Sequence, residues 1–230
     1  MRLQTYLNDF LSLIYPKLCL GCDAPLPKGS KYICPACHYN LPKTNSHLSD
    51  DHLFKEKFQG IVPVKSVLVY AYFIKDGIMQ QVLHDLKYND NQEIGRMMGR
   101  WFGHDLLLGG YADSFDLIVP VPLHPEKLKN RGYNQSFAFG EGLSEVLKVP
   151  VKEMLIREKN LASQTRKDKV HRIQGVDGIF AATNADSLNG QNVLLVDDVL
   201  TTGSTLISCA EPLLAAGISS LSIAVMAGVK

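Results

Sequence analysis

The sequence predicts an α/β fold, a largely parallel sheet flanked by helices, behind a small cysteine-bearing N-terminal module. Two observations carry this. From about residue 65 onward, short apolar runs alternate with helical segments, the pattern of strands joined by crossovers. Before them, residues 16–45 are rich in Pro, Gly, Lys and Cys and show no hydrophobic periodicity. The 230 residues are 46% apolar and 20% charged, which excludes a disordered chain. No apolar run approaches the ~20 residues of a membrane span. No small-residue cleavage site follows the N-terminal apolar stretch, so a cytoplasmic protein without membrane insertion is expected.

In chain order, Leu3, Leu7, Phe10, Leu11 and Ile14 recur at helical spacing and predict a helix over 2–14 that ends before Pro16. Residues 16–45 read as a small knuckle, and 46–62 as a polar linker. The run 65–74 is dense in β-branched and aromatic residues and reads as a strand. Ile78, Val82, Leu83 and Leu86 predict a helix, and a second runs through 92–108. Residues 116–121 form a short apolar strand, followed by a basic loop and a helix over 134–147. The continuous apolar run 192–197 predicts a strand buried on both faces. A helix over 204–216 ends at Gly217, and 219–226 form another strand. In such sheets ligands bind beyond the carboxyl ends of the strands.

The cysteines define the N-terminal module. Cys19 and Cys22, then Cys34 and Cys37, form two C-x-x-C pairs separated by 11 residues. Each pair sets two thiolates on one turn, and four thiolates close a tetrahedral structural zinc site. With few apolar residues nearby, the metal is expected to supply most of the module's folding energy. An iron–sulfur cluster or a redox dithiol uses the same residue types. An odd total of five cysteines fits a reducing compartment. His38 reads as a bystander to the cluster, and Cys209 as a small buried apolar residue.

The densest chemistry lies in Asp197, Asp198, Val199, Leu200, Thr201, Thr202, Gly203, Ser204 and Thr205. An apolar strand ends in two acids, and a hydroxyl- and glycine-rich loop then opens a helix. Backbone N–H groups, hydroxyls and a helix N-terminus form an anion cradle without a charged side chain. The Gly-Lys-Ser/Thr element of a Walker loop and the G-x-G-x-x-G of a dinucleotide site are both missing. Two acids beside the cradle would repel a bare phosphate, but they suit a ligand that also presents sugar hydroxyls or a bound Mg²⁺.

This stretch resembles the phosphoribosyl-pyrophosphate motif of the type I phosphoribosyltransferases. The resemblance implies that Asp197 and Asp198 hold the ribose 2′- and 3′-hydroxyls and that Thr201–Thr205 hold the 5′-phosphate. Three further segments narrow it. Val119-Pro120-Val121-Pro122-Leu123-His124 leads to Lys127, Lys129 and Arg131-Gly132-Tyr133-Asn134-Gln135-Ser136. Arg157 and Ser163-Gln164-Thr165-Arg166 precede Lys169 and Arg172. Upstream lies Leu83-His84-Asp85-Leu86-Lys87-Tyr88. With the four-cysteine module, this order is similar to the ComF family of competence-associated phosphoribosyltransferase-like proteins, over residues 15–230. The expected organisation is then a helix and zinc knuckle over 1–45 and a phosphoribosyltransferase-like domain over 46–230, with hood or flap elements within 46–110. Some ComF relatives carry another cysteine pair after the second knuckle. Here that region reads Ser46-His47 and Asp51-His52, so a second metal site is not expected.

Charge is segregated along the chain. Residues 1–123 are net zero, 124–172 carry +5 and 173–230 carry −4. Transfer from phosphoribosyl pyrophosphate breaks a C1–O bond and releases a highly charged pyrophosphate, so cations are needed at that end. The candidates are Leu123 and His124 through the backbone, with Lys127, Arg131, Arg166, Lys169 and Arg172 through side chains. Of these, Lys127, Arg131 and Arg166 are the expected catalytic cations. Segment 157–172 is the expected lid. The competing reading is a non-catalytic adaptor for single-stranded DNA, tied to the DNA-uptake machinery. Its binding surface would be the knuckle, the +5 stretch and Tyr70, Tyr72, Tyr88 and Tyr133. The acceptor is not legible.

Overall fold

A computed structural model describes residues 15–49, 52–89, 91–157, 173–174 and 178–230. The expected 2–14 helix, most of the expected lid, and Arg166, Lys169 and Arg172 lie outside the described residues.

Four parallel strands build the central sheet: β1 (Ser66–Tyr72), β2 (Leu117–Pro120), β6 (Asn192–Leu200) and β7 (Ser220–Gly228), in the order β1-β7-β6-β2. Their near-continuous apolar runs follow from burial on both faces. Tyr70, Ile118, Leu194, Val196 and Met226 enter one core, and alternate residues Val69, Val119, Val193, Leu195 and Val225 enter the other. The first core is covered by α3 (Ile78–Tyr88), α4 (Gln92–Leu108) and α6 (Gln135–Leu147). The second is covered by α7 (Ser204–Ala215). A small antiparallel sheet lies beside it, in which β5 (Phe180–Ala182) pairs with β3 (Leu155–Arg157) and β4 (Ile173–Gln174).

Helices α4 and α6 approach to backbone contact. A Cβ on Gly99 would lie 2.2 Å from the Phe139 carbonyl oxygen, and one on Gly142 would lie 2.1 Å from that of Arg96. Arg96 and Arg100 then reach across to Glu141 and Glu145 at 2.8 and 3.1 Å.

Three local expectations need correction. Residues 46–62 are not a linker. They contain α2 (His52–Lys55), and Phe54 and Phe58 are fully buried in the second core. Ser46 also donates to the Val69 carbonyl and accepts from its N–H, at 3.0 and 2.8 Å. Two aromatics four residues apart among charges carry too weak a period to read. The basic loop after β2 is the short helix α5 (Pro125–Arg131), capped by His124, whose Nδ1 accepts from the Glu126 N–H at 3.3 Å. It buries no residue, so it leaves no amphipathic trace. Strand β6 runs three residues past Asp197, because β7 continues to pair with it through Gly228.

The cysteine segment, with α1 (Pro35–Tyr39), joins the first core rather than hanging from it. Cys19, Ile33, Cys34, Cys37 and Leu41 are buried in the same cluster as α3 and α4. His38 stacks on Trp101 with ring centroids 3.8 Å apart, and Lys43 pairs with Asp105 at 2.8 Å. Metal is therefore not the module's only anchor. Among the described residues, no helix is long and apolar enough to cross a membrane.

Gly142→Ala places a methyl where a carbonyl sits, and overpacking of this kind costs roughly 1–3 kcal/mol. The urea midpoint followed by circular dichroism should fall accordingly. An unchanged midpoint would mean that the two backbones are not in contact.

Candidate functional site

All four sheet strands point their carboxyl ends to one edge, and β6 delivers Asp197 and Asp198 there. The loop that follows is short: Thr201 and Thr202 are exposed, Gly203 turns with φ +88°, and α7 begins at Ser204. That positive φ demands glycine. It packs the turn against the Phe58 ring, 3.4 Å from where a Cβ would stand. Thr202 Oγ1 and Ser204 Oγ lie 2.9 Å apart, the Ser204 N–H donates to Thr202 Oγ1 at 3.4 Å, and Thr205 is exposed in the first turn of α7. Val199 and Leu200 act differently from the rest of the stretch. They complete the strand, and Leu200 is fully buried.

The two acids are not a pair of free carboxylates. Asp197 Oδ1 accepts from the Ser136 hydroxyl at 2.8 Å and from the Asp198 N–H at 2.9 Å. Burial first, and the charge of Asp198 second, push its carboxyl up to about 7. The Ser136 and Asp198 donors and the Lys87 ammonium oppose that rise. Asp198 pairs with Lys87 Nζ at 2.8 Å.

The supports for these contacts come from elements distant in sequence. Asn134 caps α6 by accepting from the Ser136 N–H at 3.1 Å, and its amide donates to the Val121 carbonyl at 2.9 Å. That double tie fixes Ser136 beside β2 and β6. Asn134 caps the 134–147 helix, as its residue type favours, whereas Lys87 and Ser136 were not among the expected site residues. Their roles depend on which helix ends meet the edge of the sheet, and spacing along the chain does not show this.

The expected cations divide. Arg131 lies at this edge, its Nη1 donating to Gln135 Oε1 at 3.1 Å and its guanidinium 5.8 Å from the Tyr88 ring centre. Leu123 and His124 lead from β2 into α5, and Lys127 is exposed on α5. Of the tyrosines expected on a DNA surface, Tyr70 and Tyr133 are 2% and 7% exposed and cannot stack on a base. Tyr88 is open to solvent.

The second cluster is the thiolate set. The Sγ atoms of Cys19, Cys22, Cys34 and Cys37 all lie within 4.8 Å of one another. Those of Cys22 and Cys34 are 3.9 Å apart, close to the ~3.8 Å edge of a tetrahedron with ~2.3 Å zinc–sulfur bonds. Burial opposes ionisation of Cys19, but the N–H groups of Cys34 and Gly21 and the thiols of Cys34 and Cys22 together bring it down to about 6. A side chain on Gly21 would meet Cys37 Sγ at 2.9 Å, so the turn leaves room only for the sulfur. The donor set fits one metal ion with no open position.

The raised Asp197 carboxyl makes stability depend on pH. An unfolded Asp titrates near ~3.9, so the folded state holds a proton that the unfolded chain has lost across the window from about 4 to about 7. Its contribution is complete below that window and is lost as pH rises through it. Asp197→Asn keeps an acceptor for Ser136 without the charge. Its melting temperature relative to the parent should therefore climb by several degrees between roughly pH 4 and 8. A difference that stays flat would mean that Asp197 ionises in the ordinary range.

The family model described as the phosphoribosyl transferase domain matches residues 134–230, which span α6, β6, the cradle and β7. The competence protein ComFC of Bacillus subtilis (strain 168) is 30% identical over 213 residues, covering 90% of this chain and 83% of the relative. The DNA utilization protein YhgH of Escherichia coli (strain K12) is 27% identical over 229 residues, covering 92% and 96%. A solved structure, titled as the allosteric regulatory enzyme of purine biosynthesis, aligns with 61% of this chain and 25% of its own at TM-score 0.37 and 18% identity. Similarity to ComFC along nearly the whole length, on a parallel sheet with a four-cysteine module, makes this chain a member of the ComF family with a phosphoribosyltransferase fold.

Proposed function

We propose that this protein is a cytoplasmic pentosyltransferase that binds phosphoribosyl pyrophosphate with Mg²⁺ and passes ribose 5-phosphate to an acceptor, in the service of DNA utilisation. The observation that carries the reading is the acid pair near the end of β6, two residues before an uncharged anion cradle that opens α7. An acid pair alone suits a cation and a cradle alone suits a phosphate. Side by side they suit a sugar phosphate.

In this reading Asp197 and Asp198 accept the ribose 2′- and 3′-hydroxyls, and Thr201–Thr205 donate to the 5′-phosphate. Leu123 and His124 present backbone groups to the pyrophosphate, and Lys127 and Arg131 supply positive charge, joined by Arg166, Lys169 and Arg172. The C1–O bond breaks with its electron pair leaving on pyrophosphate. The acceptor's lone pair forms the new bond to C1, and the acceptor loses a proton. Holding both ends of the ribose restricts C1 to the approach of the acceptor. Cations at the pyrophosphate stabilise charge as it develops there. Mg²⁺ bound to the ligand would add to that neutralisation. The DNA context is supported by the names of the relatives.

A charge-assisted bond from a hydroxyl to a carboxylate contributes ~1.5–3 kcal/mol. Calorimetry with Mg²⁺ should therefore show phosphoribosyl pyrophosphate binding at least about tenfold weaker in the Asp197→Asn, Asp198→Asn double variant. Thr202→Val should weaken ribose 5-phosphate and phosphoribosyl pyrophosphate alike, and Arg131→Ala only the latter. Parent affinity in the double variant would remove the sugar from this site.

We also propose that the thiolate cluster holds structural zinc, supported by its fit to a closed tetrahedron. Elemental analysis of protein purified without added metal should give one zinc per chain. Iron in its place, or a folded module without metal, would overturn the assignment.

A further inference from the structure

Lys87 has no role in the sugar-phosphate chemistry proposed above, yet the fold places its ammonium on Asp198. It lies in the last turn of α3, and that turn is fixed. Leu86 is fully buried, its carbonyl accepts from the Tyr133 hydroxyl, and Asn89 caps the helix through the Asp85 carbonyl. Lys87 Nζ therefore reaches Asp198 Oδ2 at 2.8 Å, with the two side chains only 26% and 17% exposed. Asp197, the other acid, has Oδ1 occupied by the Ser136 hydroxyl and the Asp198 N–H. A cation thus already sits where adjacent carboxylates would draw a divalent ion. A lysine ammonium on a flexible four-carbon stem can give way in a manner that a rigid guanidinium fork cannot.

Resting on the sugar-phosphate reading above, we propose that Lys87 is a specificity-determining counter-ion. It keeps free divalent cations off Asp197 and Asp198 and releases Asp198 only to a ligand that offers hydroxyl donors. A metal ion then enters the site bound to the ligand's pyrophosphate and not ahead of it. This avoids a dead end in which the ribose acids are occupied by metal before the sugar arrives. Lys87 acts through Asp198 and is a positioning residue, not a catalytic one.

The test is titration with Mn²⁺ alone, followed by electron paramagnetic resonance, on protein whose cysteine cluster is filled with zinc. The parent should leave Mn²⁺ free up to about millimolar concentration. Lys87→Met should bind one ion per chain at least ~10-fold more tightly than the parent. Lys87→Arg, which restores a positive charge, should exclude the ion again. Adding Asp198→Asn to Lys87→Met should abolish the gain. Should the methionine variant unfold, Lys87→Gln keeps a donor to Asp198 and is expected to show the same gain. Parent protein that binds Mn²⁺ as tightly as Lys87→Met, or folded variants that gain nothing, would overturn the proposal. No phosphoribosyl ligand is present in this titration. Loss of the sugar-phosphate reading in calorimetry and loss of cation exclusion here are therefore separate results.

Discussion

Two adjacent carboxylates near the end of a buried strand are the constraint around which this molecule is arranged. The four residues before Asp197 on β6 are buried, so the pair stands at the margin of a low-dielectric core. Charge there is costly unless it is partnered, and two like charges raise one another's cost. The fold meets this with separate devices. Asp197 takes a hydroxyl and an N–H on one oxygen and titrates near neutrality, while Asp198 takes an ammonium. Each partner needs a helix end at this edge of the sheet, and those helices in turn need their own ties. Asn134 anchors the start of α6 to β2, and Tyr133 anchors the end of α3.

The same logic accounts for the packing of α4 on α6. Glycines at the crossing let the two backbones touch, so α6 is held from behind as well as at its cap. A helix that could slide would carry Ser136 off Asp197. The N-terminal module extends this bracing. Its cysteines, Ile33 and Leu41 share a core with α3 and α4, and His38 stacks on Trp101 in the middle of α4. A structural metal in that module would stiffen the helical layer that positions Lys87 and Ser136. A metal there and a sugar at the acid pair, as proposed, would thereby be linked through packing and not through contact.

The sequence made the scaffold legible wherever periodicity and burial agree. Helix α4 occupies 92–108 as its apolar spacing indicates, and β1, β2, β6 and β7 each fall on an apolar run. It was silent where a segment buries nothing, as in α5, or buries only two aromatics among charges, as at Phe54 and Phe58. The site was legible as composition, with acids, hydroxyls and glycine in one stretch. It was not legible as electrostatics. Nothing local to Lys87 indicates that its ammonium meets Asp198, because the contact depends on α3 and β6 ending at the same edge of the sheet. Nor does local sequence indicate that Asp197 would be shielded by a residue from the first turn of α6. The tyrosines show the converse error. Tyr70 and Tyr133 read as an exposed stacking surface, but one lies in a strand covered on both faces and the other is a helix anchor.

Charge segregation along the chain acquires a physical meaning at this edge. The acids of the −4 segment that matter are held inward on β6, each against its own partner, so they project little field into solvent. Lys127 and Arg131 of the +5 segment lie on α5, where Lys127 is exposed and Arg131 is half-buried against Gln135 and Tyr88. An approaching polyanion accordingly meets the cations of α5 before it meets the carboxylates. On the proposed function, phosphate attraction and sugar recognition would thus be separated in order as well as in place. The long-range field would draw the charged group to the rim, and the shielded acids would act only on a hydroxyl that has reached hydrogen-bond distance. An exposed acid pair would oppose the first step. An apolar rim would not start it.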